Sequence, residues 1–124
     1  FDIHSTKMKQ FGYRAQLLGG KTLVCLGDEP FNPLCRAYAQ GADLLMSEAF
    51  CLYTEKDLFN PYEKHHSTAK DAARVAAELQ AKSLLLYHTQ DNNLPQRKEL
   101  YTQEARQEFA GPIYVPDDLE TLVL

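Results

Sequence analysis

The chain of 124 residues is sized for one domain with a core large enough to fold, and its 44% hydrophobic and 24% charged residues are ordinary for a soluble globular protein. A formal net charge of −4 argues against a broad nucleic-acid-binding surface, while leaving room for a local basic patch. No apolar run approaches the roughly 18 residues needed to span a bilayer, so no membrane partner is expected. Cys25, Cys35 and Cys51 are odd in number and form no CxxC pair, which reads as reduced thiols rather than a disulfide framework. With no basic-then-apolar signal segment, the expected compartment is the cytoplasm. The chain opens on Phe1-Asp2-Ile3-His4, a strand-like run with no initiator Met, and the expectation is a piece or subunit of something larger.

Residues 11–18 and 21–26 are apolar and strand-like, and the Gly19-Gly20 between them predicts a two-residue hairpin, because primed turns need positive φ. After Asp28, Pro30 and Pro33 interrupt the chain. A short helix over about 32–40 is expected, with Gly41 as its C-terminal cap. Residues 42–50 read as a buried strand, and the polar, aromatic stretch 51–64 with its Asn60-Pro61 reads as loop. The clearest helix covers 68–81. Thr68 can cap it, Asp71 sits as in a capping box, and Ala72, Val75, Ala76 and Leu79 form the apolar stripe. Residues 83–87 make a short apolar strand, as expected where both sheet faces are covered. A second helix spans about 97–109 with Leu100, Tyr101, Ala105 and Phe109 on one side, and 112–115 and 119–124 look like closing strands. The alternation β-β-α-β-α-β-α-β-β indicates one α/β layered domain over 1–124, either complete or half of a larger sandwich.

Four polar residues stand where these elements meet loops, the place where α/β proteins assemble sites. Asp28 follows Gly27 at a strand end, where it could ligate a metal or simply serve as a turn residue before Pro30. His88 ends a fully apolar strand and could bind a metal through one nitrogen, or hydrogen-bond a loop carbonyl. His66 precedes the strongest helix, whose N-terminus favours phosphate and lowers an imidazole pKa; the plainer reading is a surface histidine beside a cap. His65 is less suited, lying one residue further from the cap. Glu48 ends a buried strand and needs a partner, either a histidine or Arg36 or Lys64. Asp2 and His4 read as structural. Carboxylate and imidazole are ligands that zinc, manganese and iron prefer.

Taken together, Gly27-Asp28-Glu29, the run from Ala42 through Ser47-Glu48-Ala49-Phe50, His65-His66-Ser67-Thr68 with Asp71-Ala72-Ala73, and Leu84-Leu85-Leu86-Tyr87-His88-Thr89 resemble the C-terminal half of the metallo-β-lactamase fold. The branch it is most similar to is the ribonuclease Z group of tRNA 3′-processing endonucleases. The resemblance is good over about 20–92 and looser elsewhere. It implies half of a four-layer αββα sandwich, with Asp28 bridging two divalent metal ions and His88 binding one of them. It further implies that His66 assists the leaving group or transition-state phosphate and that Glu48 orients it. The ions implied are zinc, or manganese or iron, and the substrate a phosphodiester or RNA.

The sequence departs from the family at Leu26 and Glu29, where Ser-Gly-Asp-Thr is usual, and at Thr89-Gln90, where His-x-Ser is usual. Those differences bear on the RNA substrate more than on the metal chemistry. The family's His-x-His-x-Asp-His cluster occurs nowhere in this sequence. An ion needs about three or four protein ligands, so the chain alone is expected to bind metal poorly and catalyse little. The missing half would come from an N-terminal region, a second chain or a domain-swapped homo-oligomer. Two alternatives stand beside this: a non-catalytic association or ligand-binding domain with an apolar sandwich face, and another hydrolase of the superfamily acting on esters or lactams.

Overall fold

The computed structural model describes residues 1–124. Its centre is a five-stranded mixed sheet in which spatial order follows chain order: β1 (Tyr13–Gln16), β2 (Thr22–Cys25), β3 (Leu44–Glu48), β4 (Leu84–Tyr87) and β5 (Ile113–Tyr114). The β1–β2 pair is antiparallel, and β2 through β5 run parallel. Four helices connect and cover the strands: α1 (Arg36–Ala39), α2 (Lys56–Phe59), α3 (Ala69–Glu78) and α4 (Arg97–Arg106). The fold class is therefore α/β, as expected.

The best-formed helix starts as its sequence predicts. Thr68 accepts from the Asp71 N–H at 3.2 Å while Asp71 accepts from the Thr68 N–H at 2.9 Å, a complete capping box. Its buried face is made of Ala69, Ala72, Ala73 and Ala76, small residues that let the helix axis approach the sheet closely. The core joins these alanines to Val24, Leu45, Leu84 and Leu86 of the strands and to Tyr101, Ala105 and Phe109 of the α4 region.

All those strand residues point to one face. Strand alternation and register place Leu23, Cys25, Leu44, Met46, Leu85 and Tyr87 on the other. Leu44 and Leu85 are buried, yet lie outside the helix-packed core cluster. One sheet face is thus layered with helices, and the opposite face is equally apolar.

Several expectations need correction. The Gly19-Gly20 hairpin is wider than a two-residue link: Leu17 N–H bonds to the Lys21 carbonyl at 2.7 Å and Gly20 N–H to the Leu17 carbonyl at 3.0 Å. Both glycines do adopt positive φ, +90° and +89°, which the turn requires. The first residues form no strand; only an Asp2–Phe11 bridge joins the ends of a loop over 3–10. Residues 51–64 are not all loop, because a 3-10 turn (Tyr53–Glu55) leads into α2, which ends at Asn60 in the left-handed region. The segment 119–124 contains no strand; without a neighbour at the β5 edge its apolar residues have no ladder to join. The Cys thiols are free.

Candidate metal centre

The carboxyl ends of β2, β3 and β4 converge on one edge of the sheet, and the four residues singled out from sequence are brought together there. After β2, Leu26 still bonds to Met46 through its N–H, and Gly27 then turns with φ +85° to deliver Asp28. A Cβ on Gly27 would lie 3.0 Å from the Ile3 Cδ1, so both the turn and the close approach call for glycine. The parallel register pairs Glu48 with Tyr87, and Ala49 N–H bonds to the Tyr87 carbonyl at 2.9 Å. The next residue, His88, takes the left-handed conformation at φ +58°, which is costly for a residue with a Cβ. That turn aims its ring back across the strand ends.

His66 arrives by a different route. Phe50 N–H bonds to the Ser67 carbonyl at 2.8 Å and Ala69 N–H to the Cys51 carbonyl at 3.0 Å, so the segment before α3 runs like a short extra strand beside the end of β3. His66 is thereby laid flat on Phe50, with ring centroids 4.5 Å apart and planes 2° from parallel.

The geometry is tight. His88 Nδ1 lies 3.1 Å from Asp28 Oδ1, and the His66 and His88 rings are 5.1 Å apart. One ligand atom each from Asp28, His66 and His88 lies within 4.8 Å of the others. Asp28 and His88 are about half exposed, so an ion could reach them. A carboxylate facing two imidazoles is a donor set that suits zinc, manganese or iron. Asp28 and His88 by themselves give two donors where an ion takes about three or four, so the residues present fit part of a metal centre with His66 beside it.

Glu48 lies behind this group, fully buried. Its Oε1 accepts from the Ser67 N–H at 2.6 Å and the Ser67 hydroxyl at 3.0 Å. Its Oε2 stands 3.3 Å from His66 Nδ1 and 4.0 Å from His88 Nδ1, and neither Glu48 Oε2 nor His66 Nδ1 makes a hydrogen bond. The partners considered from sequence, Arg36 and Lys64, are not used. Burial pushes the Glu48 carboxyl up to about 7, against the lowering effect of the Ser67 donors. Burial holds the His66 imidazole below its usual value, and the nearby charge of Lys7 adds to this while Asp28 opposes it. Both shifts have the same origin, since burial disfavours the charged form of each group.

Asp2 and His4 are structural, as expected: the Asp2 carboxylate accepts from the His4 N–H at 2.8 Å. Two contributors escape sequence reasoning. Phe50 has no polar chemistry to mark it. Glu104 is buried on α4 and accepts from the N–H groups of Tyr53 (2.6 Å) and Lys70 (3.1 Å), which ties the first turn of α3 to α4. An acidic residue between Tyr101 and Ala105 on the apolar side of a helix was the available signal.

No family model matches the chain. Curated relatives do: it is 37% identical over 105 residues to a ribonuclease Z of Myxococcus xanthus, covering 85% of this chain and 33% of that protein. Among solved structures, a metallo-β-lactamase-fold protein from Bacillus subtilis superposes with a TM-score of 0.71 at 23% identity, over 89% of this chain and 42% of that one. The short form of human tRNase Z superposes with a TM-score of 0.66 at 24% identity, over 92% and 37%. The chain thus spans about a third of the length of the curated relatives it matches. The chain thus has the metallo-β-lactamase fold, and in sequence it is similar to ribonucleases Z over most of its own length.

Proposed function

We propose that this chain is the C-terminal portion of a metal-dependent phosphodiesterase of ribonuclease Z type, acting on RNA. The observation that carries the reading is the convergence of Asp28, His66 and His88 to within 4.8 Å, with the buried Glu48 at His66. Asp28 and His88 would hold divalent metal ions, two in the complete enzyme, with zinc the first choice and manganese or iron the others. Such ions, when bound, supply an activated water and neutralise the phosphoryl oxygens.

The chain's own residues account for the rest of the chemistry. Ser67 fixes Glu48 through two hydrogen bonds, and Phe50 fixes the plane of His66. His66 then holds a proton where the leaving oxygen develops charge, and Glu48, protonating near neutrality, is placed to resupply it. His66 is a catalytic residue in this scheme, while Glu48 positions it and tunes its protonation.

The remaining ligands would come from a longer form of the same protein, a second chain, or a domain-swapped copy. The apolar sheet face carrying Leu23, Leu44, Met46 and Leu85 is where a second sheet would pack, as sandwich cores require. Alone, the chain would be inactive. The proposed compartment is the cytoplasm; no helix is long and apolar enough to cross a membrane.

The test is hydrolysis of bis-p-nitrophenyl phosphate by the longer protein, with and without added zinc or manganese. The expected result is metal-dependent turnover that Asp28→Ala, His88→Ala and His66→Ala each abolish or cut by roughly 100-fold or more. Full turnover in Asp28→Ala and His88→Ala would remove the proposal.

A further inference from the structure

The site's surroundings are charged asymmetrically, and that asymmetry bears on how a polyanion would lie across it. The loop over 3–10 and the turn over 61–66 meet beside His66. Lys7 Nζ donates to the Lys64 main-chain carbonyl at 2.7 Å, and Lys64 Nζ stands 5.5 Å from the centroid of Phe50, the ring on which His66 is stacked. Both lysines are exposed. In a chain of net charge −4, Lys56, Lys82 and Lys98 each pair with a carboxylate; Lys7 and Lys64, like Lys9, Lys21 and Lys70, pair with none, and these two meet beside His66. The buried carboxylate of Glu29 accepts from the Ser5 hydroxyl at 2.5 Å and the Thr6 N–H at 3.4 Å, and so shapes the loop that presents Lys7.

On the other side of His88 lies a groove of about 750 Å³ bordered by Asp91, Asp117 and Asp118. Its one guanidinium, Arg97, bonds the Thr89 hydroxyl at 2.6 Å and the Pro116 carbonyl at 2.9 Å and pairs with Asp117 at 3.4 Å, while Lys98 pairs with Asp117 at 3.2 Å, which leaves Asp91 and Asp118 as the groove's unpaired carboxylates. Unpaired charge is thus negative in the groove, at Asp91 and Asp118, and positive at Lys7 and Lys64.

We propose that Lys7 and Lys64 form a phosphate-binding rim that holds a neighbouring phosphate of a single-stranded RNA substrate on the His66 side of the site. The lysines are binding residues; Lys7 in addition braces the turn that carries Lys64. The acidic groove takes the part of the substrate on the other side of the scissile bond, where hydroxyls and bases but no closely held phosphate can lie. This assignment rests on the phosphodiesterase reading, and it adds a direction to it: the substrate's contacted negative charge lies on one side only.

The experiment compares two substrates in the longer protein: a short single-stranded RNA and bis-p-nitrophenyl phosphate, which has no neighbouring phosphate. Lys64→Ala is the cleaner variant, because it keeps the main-chain carbonyl that Lys7 uses; Lys7→Ala and the double variant complete the set. The expected result is a rise of roughly 10-fold in the ratio of KM for RNA to KM for the small diester in the double variant, with the salt dependence of RNA binding shallower by about 0.7 per lysine removed. Lys64→Arg restores the ratio. A ratio and salt slope equal to those of the unmodified protein overturn the rim while leaving the hydrolase intact. If the unmodified protein hydrolyses neither substrate, the phosphodiesterase reading fails, and fluorescence anisotropy of the labelled RNA decides the rim separately: binding that both lysine variants weaken keeps it, and binding unchanged in both refutes it.

Discussion

Glu48 is the residue on which the chemistry of this site turns, because burial sets its protonation and Ser67 sets its direction. Its folded value, about 7, is above that of an exposed carboxyl. The folded protein therefore binds this proton more tightly than the unfolded chain does. The resulting stabilisation is complete below the unfolded value and is lost as pH rises through about 7. His66 works in the opposite sense: burial lowers its affinity for a proton, so stability falls as pH drops below the ordinary histidine value. Replacing Glu48 by Gln keeps an oxygen for the Ser67 N–H and removes the titration. Urea denaturation at pH 8 should find Glu48→Gln more stable than the parent by up to about 3 kcal/mol, with the advantage shrinking toward pH 5. Its pH–rate profile, in the longer protein, should lose the limb near neutrality. Gly27 is the second decisive residue. Gly27→Ala places a Cβ against Ile3 in a left-handed turn and should cost about 1–2 kcal/mol, with metal affinity falling because Asp28 is displaced.

Among the elements, the first turn of α3 has the most to hold in place, because His66 and Ser67 lead directly into it. Three devices fix it: the Thr68–Asp71 capping box, the Ser67–Glu48 hydrogen bonds, and the Glu104 carboxylate that receives Lys70 N–H. Thr68→Ala should cost about 1 kcal/mol. Glu104→Ala leaves the Tyr53 and Lys70 N–H groups without their acceptor and should cost about 2–3 kcal/mol, most of it recovered in Glu104→Gln. Chemical denaturation checks both. These elements also divide what a sequence can disclose from what it cannot. The capping box, the α3 stripe and strands β3 and β4 are local patterns, so Thr68, Asp71 and the apolar runs announce them. The width of the Gly19-Gly20 turn depends on which strand residues pair across it. The fate of residues 119–124 depends on whether a neighbour exists at the sheet edge. Neither is a local property. The candidates Asp28, Glu48, His66 and His88 could be named from sequence because each sits at an element boundary, and the fold brings the four together. Phe50 and Glu104 act through contacts that only the packed chain creates.

For the whole molecule, the sheet is largely apolar on both faces while helices occupy one, and the proposed ligands at its edge, Asp28 and His88, are fewer than an ion needs. These two deficits fall on the same half of the architecture: a second sheet packed on Leu23, Leu44, Met46 and Leu85 is also what would bring further ligands to Asp28 and His88. A charge placed on that face should therefore harm assembly more than folding. Met46→Lys is expected to leave the far-ultraviolet circular dichroism of the chain unchanged while abolishing metal binding in the longer protein; normal metal content in that variant would mean that the face is not the sheet-packing surface. The chain spans 33% of the Myxococcus ribonuclease Z and 37% of the human tRNase Z chain.

The central claim is that Asp28 and His88 are part of a metal centre completed by residues outside this chain. Metal content measured by mass spectrometry, on the 124-residue chain and on the longer protein side by side, tests it most directly. The account predicts well under one ion on the chain alone, about two on the longer protein, and loss of at least one with Asp28→Ala or His88→Ala. Stoichiometric metal on the isolated chain, or unchanged metal content in both variants, would contradict it.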